Sequence, residues 1–182
     1  MARLKSDDFQ YYDVVMENAK ICFRTNFEGR EVVQDGRVYN VAGKRNFDIV
    51  VDDPETKMNK RWFDQETGQF MTKAITADDL AADDWNLKIY TPKSEDGAPF
   101  RHTKIQVRYK LKTPRISMVI NGKDCPLDEE TVKNLDDSHI LSCDIVFRSH
   151  PWTSPNGSSG INGYLSEGHF IVEPSAFGDK YQ

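Results

Sequence analysis

The segment TKIQVRYKLK, residues 103–112, decides the fold class because polar and apolar residues alternate along it without interruption. Side chains of a β-strand point alternately to opposite faces, so the pattern predicts a strand with one solvated face and one buried face. The even positions are Lys104, Gln106, Arg108, Lys110 and Lys112, and the odd positions are Ile105, Val107, Tyr109 and Leu111. The even face is therefore a cationic stripe, and the odd face belongs to a core.

Similar period-two stretches, separated by turn residues, predict a mainly β protein. Two short helices are expected, one in TADDLAADDW after Thr76 and one in DEETVKNLD, where Asp128 caps and Leu135 points inward. So little helix favours a five-stranded Greek-key barrel of the OB type over an α/β fold, because parallel βαβ units need longer helices. The predicted strands are Glu17–Arg24, Lys44–Asp52, Asn86–Thr91, Thr103–Leu111, Arg115–Ile120, Ile140–Arg148 and Gly163–Val172.

The chain length of 182 residues fits a single OB-like domain over residues 1–182, with an inserted hairpin arm at residues 55–75. The arm is predicted from KRWFDQETGQFMTK, in which residues 66–68 form a three-residue loop and Gly68 takes positive φ. Three roles are open for the arm: a satellite of the core, a contact between the copies of a homodimer, or a clamp on a ligand.

The cationic stripe stands out because the whole chain is acidic. The chain has 24 basic and 29 acidic residues, a net charge of -5, yet Phe100–Arg115 has six Lys or Arg residues and no Asp or Glu. Solvation of an exposed face is the bland explanation, but exposed faces usually interleave both signs. Crowded like charges are tolerated where an anionic partner neutralises them. We therefore interpret the stripe as a surface for single-stranded nucleic acid, whose bases stack on exposed rings.

The candidate contact residues combine these cations with nearby rings. The predicted phosphate and polar contacts are Arg45, Lys88, Lys104, Gln106, Arg108, Lys110, Lys112 and Arg115, and the candidate stacking rings are Phe47, Trp62, Tyr90 and Trp152. Phe47 also fits the core, because it lies in the apolar run NFDIVV. Trp152 also fits a plug at the mouth of a barrel.

Sequence motifs for catalysis are missing: no GxxxxGK[ST], GxSxG, HExxH or GxGxxG is present. The acidic pairs, such as Asp52-Asp53, fit turns and helix ends, although paired carboxylates hold Mg²⁺ in nucleases. We expect no enzyme, no cofactor and no metal site. The odd number of widely spaced cysteines favours free thiols in a cytoplasmic protein, and no signal peptide or membrane span is predicted.

A series of motifs occurs in a familiar order. RNF opens an apolar strand at residues 45–51, DDWNLK follows at 83–88, and the basic strand ends at Pro114. LDEETVKNLD at 127–136, an apolar strand leading to Pro151-Trp152, and GYL at 163–165 complete the series. Over about residues 14–181 this order resembles a family of small phage and prophage proteins. That family includes single-stranded DNA-binding proteins with an OB fold.

The resemblance implies a protein that binds single-stranded DNA without sequence preference in phage replication or recombination, in the cytoplasm of the host. Phage replication or recombination proteins are then the expected partners. Residues 55–73 depart from the family pattern as an insertion. The alternative function is a phage structural or interaction module that binds an acidic protein. The resemblance implies structural or groove roles for Arg45, Asn46, Phe47, Trp85, Asn86, Lys88 and Trp152.

Overall fold

A computed structural model describes residues 12–81, 89–91, 100–110, 112–157 and 159–174, and the fold is mainly β, as predicted. One short α-helix, α1 (Ala77–Ala81), and a 3₁₀ helix (Val132–Asp137) accompany the strands. The strands are β1 (Asp13–Ala19), β2 (Ile21–Asn26), β3 (Val32–Gln34), β4 (Arg37–Asn40), β5 (Arg45–Val50), β6 (Lys57–Asp64), β7 (Gln69–Ala74), β8 (His102–Val107), β9 (Arg115–Ile120), β10 (Lys123–Leu127), β11 (Ile140–Thr153) and β12 (Ser159–Val172).

Strand pairing forms a closed circuit of five strands, in which β1 and β2 together count as one. β2 pairs with β5 and β5 with β8, both antiparallel, and β8 runs parallel to the first half of β12. β12 pairs antiparallel with β11, and β11 pairs antiparallel with β1. β1 leads through Lys20 directly into β2, and Asn18 has a φ of 56° at this bend. A single bent segment thus contributes to both ends of the circuit.

Strand β12 is long enough to pair with two different strands along one of its edges. Gly163 and Tyr164 pair with β8, whereas Glu167–Ile171 pair with β9, both in parallel. β9 and β10 form a hairpin across the turn Asn121-Gly122, where both φ angles are positive, as a type I′ turn requires. On the even face of β8, Lys104 is exposed, Gln106 is half-buried and His102 is buried.

Three phenylalanines form the centre of the core. The rings of Phe27, Phe47 and Phe170 lie 5.2–5.5 Å apart by their centroids, in stacked and edge-to-face arrangements that aromatic pairs favour. Phe47 is 1% exposed. Its selection as a base-stacking ring is therefore wrong, because its position on β5 directs the ring inward.

The hairpin arm consists of β6 and β7, with Gly68 at a φ of 69° as predicted. Its loop has four residues, 65–68, rather than three, because Asp64 pairs with Gln69. β6 also pairs with β1 over five positions, Asp13–Glu17, so the arm extends the main sheet. Every residue of β7 is exposed.

Several predicted element boundaries differ from the structure. The predicted strand Glu17–Arg24 is divided between β1 and β2 at Lys20, and the basic strand ends at Val107 instead of Leu111. β11 and β12 both extend further towards the loop that joins them. Most of the predicted strand Asn86–Thr91 lies outside the described residues, although Tyr90 forms an isolated antiparallel bridge with His102.

Both predicted helices occur, but the prediction that Asp128 caps the second one is wrong, because the N-cap there is Thr131, which makes no side-chain capping hydrogen bond. At α1, Thr76 donates its backbone N–H to the Asp79 carboxylate at 2.7 Å, which satisfies a donor at the helix start. The second helix is 3₁₀ rather than α, and its preceding turn is organised by Asp128, whose carboxylate accepts from the backbone of Glu130 and Thr131. Leu135 is fully buried, as predicted.

Within the described residues, no helix is both long and apolar enough to cross a lipid bilayer. The three cysteines are free thiols. Burial raises the pKa of Cys22 to about 12 and also raises that of Cys143.

The 3₁₀ helix is tied to the end of β2 by one carboxylate. Asp136 accepts hydrogen bonds from the Thr25 hydroxyl at 2.7 Å and from the backbone N–H groups of Phe27 and Glu28 at 2.8 and 2.9 Å. We expect Asp136→Ala to lower the free energy of unfolding by about 2–4 kcal/mol, because bonds to a charged acceptor are strong. Urea unfolding measures this loss. Asp137→Ala is the control and should change stability by less than about 0.5 kcal/mol, because its side chain is exposed.

Candidate functional site

A groove of about 1100 Å³ lies over β5 and β8, bordered by the segment that follows β3 on one side and by β12 on the other. Its lining is strongly biased towards positive charge. One lining residue, Glu129, is acidic, against five that are basic: Lys44, Arg45, Lys104, Arg108 and Lys110. An acidic chain therefore has a cationic concave surface.

Strand β8 places its cations in the groove by alternation. Ile105 and Val107 are buried in the core, whereas Lys104 is exposed and Gln106 is half-buried on the opposite face, as predicted. Arg108 and Lys110 lie beyond the end of the strand and still line the groove.

Three cations of the groove have no neutralising carboxylate among the described residues. Within the described part of the chain, Lys104, Arg108 and Lys110 form no ion pair with a carboxylate. Asp48 pairs with Lys104 in strand register, yet its carboxylate lies 2.7 Å from Nδ1 of His102. The carboxylate that lies opposite the lysine in strand register is thus engaged by the histidine.

Arg45 has a different role from the other groove cations. Its Nε donates to the carbonyl oxygen of Phe27 at 2.9 Å, and its guanidinium lies 3.4 Å from the Glu129 carboxylate. The same group sits 5.1 Å from the ring centroid of Tyr109. Arg45 therefore braces the groove wall, and its charge is partly used within the protein.

Three tyrosines add aromatic surface to the groove. Tyr39, on β4, is 58% exposed. The Arg108 guanidinium lies 5.2 Å from the ring centroid of Tyr164, a cation–π distance. Tyr109 is half-buried, burial raises its pKa, and its hydroxyl has no hydrogen-bond partner among the described residues.

The hairpin β3–β4 was missed in the sequence analysis. Its turn is Asp35-Gly36, with φ angles of 52° and 77°, and Asp-Gly between alternating residues is a strong hairpin signal. Recognition of that dipeptide would have pointed to Tyr39 and Lys44. No comparable local signal marks Asn162 and Tyr164, which reach the groove through the pairing of β12 with β8.

Asparagine side chains hold the base of this hairpin against the sheet. Asn26 accepts the backbone N–H groups of Gly29 and Arg30 at 3.0 and 2.9 Å. Asn40 donates to the carbonyl oxygen of Arg30 at 2.7 Å and accepts from Asn46 at 2.9 Å. The groove wall that carries Tyr39 is therefore connected to β5 by hydrogen bonds.

Two of the predicted contact residues lie elsewhere. Arg115, at the start of β9, forms an ion pair with Glu167 and does not line the groove, so the protein already neutralises its charge. Trp62 lies on β6, half-buried against the core and 6.3 Å from Tyr12 in an edge-to-face contact. Neither residue lines this groove, because strand pairing takes β6 and β9 away from the outer face of β8.

The remaining predicted residues have mixed outcomes. Lys112 is exposed but does not line the groove. Tyr90 is partly exposed and stacks on His102, at the end of β8 remote from Arg108. Lys88, Trp85, Asn86 and the side chain of Trp152 lie outside the described residues.

The described residues contain no group of three or more His, Cys, Asp or Glu side chains with a metal-binding arrangement. Asp52 and Asp78, from two of the acidic pairs, both contact Arg101. These carboxylates therefore connect α1 to the segment before β8.

Comparison with known proteins gives one family. A family model described as "Putative phage ssDNA-binding domain" matches residues 5–182, nearly the whole chain. A search of curated proteins and a search of solved structures gave no significant match.

We expect Arg45 to contribute more than Lys104 to the free energy of unfolding. We expect Arg45→Ala to lower the free energy of unfolding by about 1–3 kcal/mol, because the carbonyl oxygen of Phe27 and the ring of Tyr109 lose their partner. Lys104→Ala should change stability by less than about 0.5 kcal/mol, since no ion pair is broken. Urea unfolding of both variants tests the distinction, and equal losses would contradict it.

Proposed function

The chain belongs to this family of phage single-stranded DNA-binding domains, and from that premise we propose that it binds single-stranded DNA in the basic groove, without sequence preference and without catalysis, during phage DNA replication or recombination. The observation that carries the proposal is a groove lined by tyrosines and by Lys104, Arg108 and Lys110, which form no ion pair with a described carboxylate. Its place of action is the host cytoplasm, with phage replication or recombination proteins as partners.

The charge distribution supports a polyphosphate ligand. Lys104, Arg108 and Lys110 crowd one surface without internal counter-ions among the described residues, a costly arrangement that phosphate groups relieve. Lys44 adds a fourth exposed cation from the opposite wall. A flexible single strand can follow such a groove because its backbone adapts to the spacing of the cations.

The aromatic residues support contacts with unpaired bases. Tyr39 extends its exposed ring from the hairpin wall, and Tyr164 lies on the opposite wall with Arg108 beside its ring. Stacking on tyrosine tolerates every base, since each base has a π-face. The side-chain amides of Asn40, Asn46 and Asn162 line the same space and both donate and accept hydrogen bonds. This combination favours binding with little sequence preference.

We also propose that the five-strand circuit is an OB-type barrel. If β1 and β2 are counted as one bent strand, the five strands in chain order are β1–β2, β5, β8, β11 and β12. Around the circuit, their order is first, second, third, fifth, fourth and again first. OB folds bind oligonucleotides on the second and third strands, next to the loop between the first and second. The groove occupies the corresponding face, and the hairpin β3–β4 lies in the corresponding connection.

Salt dependence tests the electrostatic part of the proposal. Each phosphate contact with a single strand contributes about -0.7 to the slope of log K against log salt, so four contacts, from Lys44, Lys104, Arg108 and Lys110, give about -2.8. Titration of labelled oligo(dT) at several salt concentrations measures the slope. The triple variant Lys104→Ala/Arg108→Ala/Lys110→Ala should reduce it to about -0.7, whereas Arg115→Gln should leave it unchanged.

Two results of that titration would count against the proposal. A triple variant with the slope of the unmodified protein would remove the groove from the binding surface. Failure of the unmodified protein to bind oligo(dT) at micromolar concentration and low salt would favour the alternative, a module that binds an acidic protein.

Tyr39 provides a test of stacking. We expect Tyr39→Leu to weaken oligo(dT) binding roughly 5- to 140-fold, which corresponds to about 1–3 kcal/mol for one stacked base. Tyr39→Trp should retain the affinity, because a ring remains. Phe63→Leu is the control, since Phe63 is similarly exposed but lies on the hairpin arm. Fluorescence anisotropy measures the affinities, and equal losses for Tyr39→Leu and Phe63→Leu would refute a specific stack.

A further inference from the structure

A second group of aromatic residues lies on the same face of the sheet, at the other end of β8. His102 is surrounded by three rings, with centroid distances of 5.0 Å to Phe23, 5.3 Å to Tyr90 and 5.9 Å to Phe100. The ring of Tyr90 is nearly parallel to that of His102, at an angle of 19°. None of these four residues lines the groove. The group is therefore a separate feature of the outer face.

The ring of Phe23 is exposed, although the alternation of side chains along β2 predicts that it is buried. Ile21 pairs with core residue Ile49, and Cys22 pairs with Asp48 on the outer face, so strict alternation would direct Phe23 into the core. A register shift follows Cys22, and Phe23 has a φ of 63°, a conformation that large side chains rarely adopt. The ring ends up 62% exposed. Backbone strain of this kind is concentrated at functional sites.

The residues beneath the exposed ring are fixed. His102 is 7% exposed, and its Nδ1 lies 2.7 Å from the Asp48 carboxylate, which holds the imidazole in place. Phe23 and this imidazole form an edge-to-face pair, and Tyr90 stacks on the imidazole. A ring that is supported in this way loses little conformational entropy when a flat ligand stacks on it.

The aromatic group is continuous with the groove. His102, Lys104 and Gln106 alternate along β8 on one face, so about 13 Å of strand separates the histidine from the glutamine of the groove. Lys104 lines the groove, lies two residues from His102 on the same face, and is unpaired among the described residues. Arg24, which follows Phe23, is also exposed and forms no ion pair with a described carboxylate. Lys104 therefore supplies a cation next to the aromatic group, on the face of β8 that carries the groove.

We propose that Phe23, together with Tyr90, forms a second base-binding subsite, onto which single-stranded DNA continues from the groove past Lys104. This inference rests on the proposed function. The occupant is a nucleobase rather than an apolar protein segment, because Arg24 follows Phe23, Lys104 lies two residues beyond His102, and both exposed cations form no ion pair with a described carboxylate. Phe23 supplies the stacking surface, and His102 positions it.

A length series of oligo(dT) tests the subsite. A short oligo(dT) that fills only the groove should bind the Phe23→Ala variant as tightly as it binds the unmodified protein. Longer oligonucleotides should bind Phe23→Ala roughly 5- to 140-fold more weakly, the loss of one stacked base. The matched control is Phe70→Ala, since Phe70 is 71% exposed but lies on β7 of the hairpin arm, and it should have no length-dependent effect.

Two further variants separate stacking from folding. Phe23→Trp keeps a ring and should retain the affinity for long oligonucleotides. Phe23→Asn introduces a residue that tolerates positive φ, so the melting temperature should be maintained while the affinity for long oligonucleotides falls. Replacement of the terminal nucleotides by abasic sites should abolish the difference between Phe23→Ala and the unmodified protein.

Photocrosslinking checks the contact in the unmodified protein. Oligonucleotides with 5-iododeoxyuridine near one end should crosslink to peptides that contain Phe23 or Tyr90. Normal length dependence in both Phe23→Ala and Phe23→Asn, with crosslinks confined to groove residues, would overturn the subsite and leave the proposed function intact. Failure of the unmodified protein to bind any oligonucleotide would overturn the proposed function and the subsite with it.

Discussion

Strand β8 must fit two environments at once, and the rest of the structure depends on this constraint. Ile105 and Val107 face the core, whereas Lys104 and Gln106 face solvent on the groove side. The strand is held between β5 and β12, so its two faces cannot exchange without a register change in both neighbours. The strand that completes the hydrophobic interior therefore also supplies the charge of the outer surface.

The distribution of ion pairs explains how an acidic protein keeps a cationic groove. Asp13 pairs with two arginines, Arg61 and Arg148, and Asp48 is hydrogen-bonded to His102. Asp48 lies opposite Lys104 in the strand ladder, so its engagement by His102 leaves Lys104 without an ion pair among the described residues. Net charge of the chain indicates nothing about this surface, because the surface depends on which charges are paired.

Elements that depend on local pattern are predictable from this sequence, whereas contacts between distant segments are not. Alternation identified the core and solvent faces of β8, and the bounds of β9 were predicted correctly. Arg115 could not be assigned, because its partner Glu167 is 52 residues away and meets it only through parallel strand pairing. Tyr164 was missed for the same reason, since its pairing with Gln106 is not encoded locally.

The amino-acid sequence by itself determined the mainly β class, the alternating faces of the basic strand and the short helices, because these follow from side-chain periodicity and local capping. Only the tertiary structure decided which cations are unpaired and which rings are exposed. Phe47 and Phe23 illustrate the difference, since one is buried in the core and the other is turned outward by a register shift in β2. Exposure and pairing depend on neighbours that are distant in sequence, and only folding brings those neighbours together.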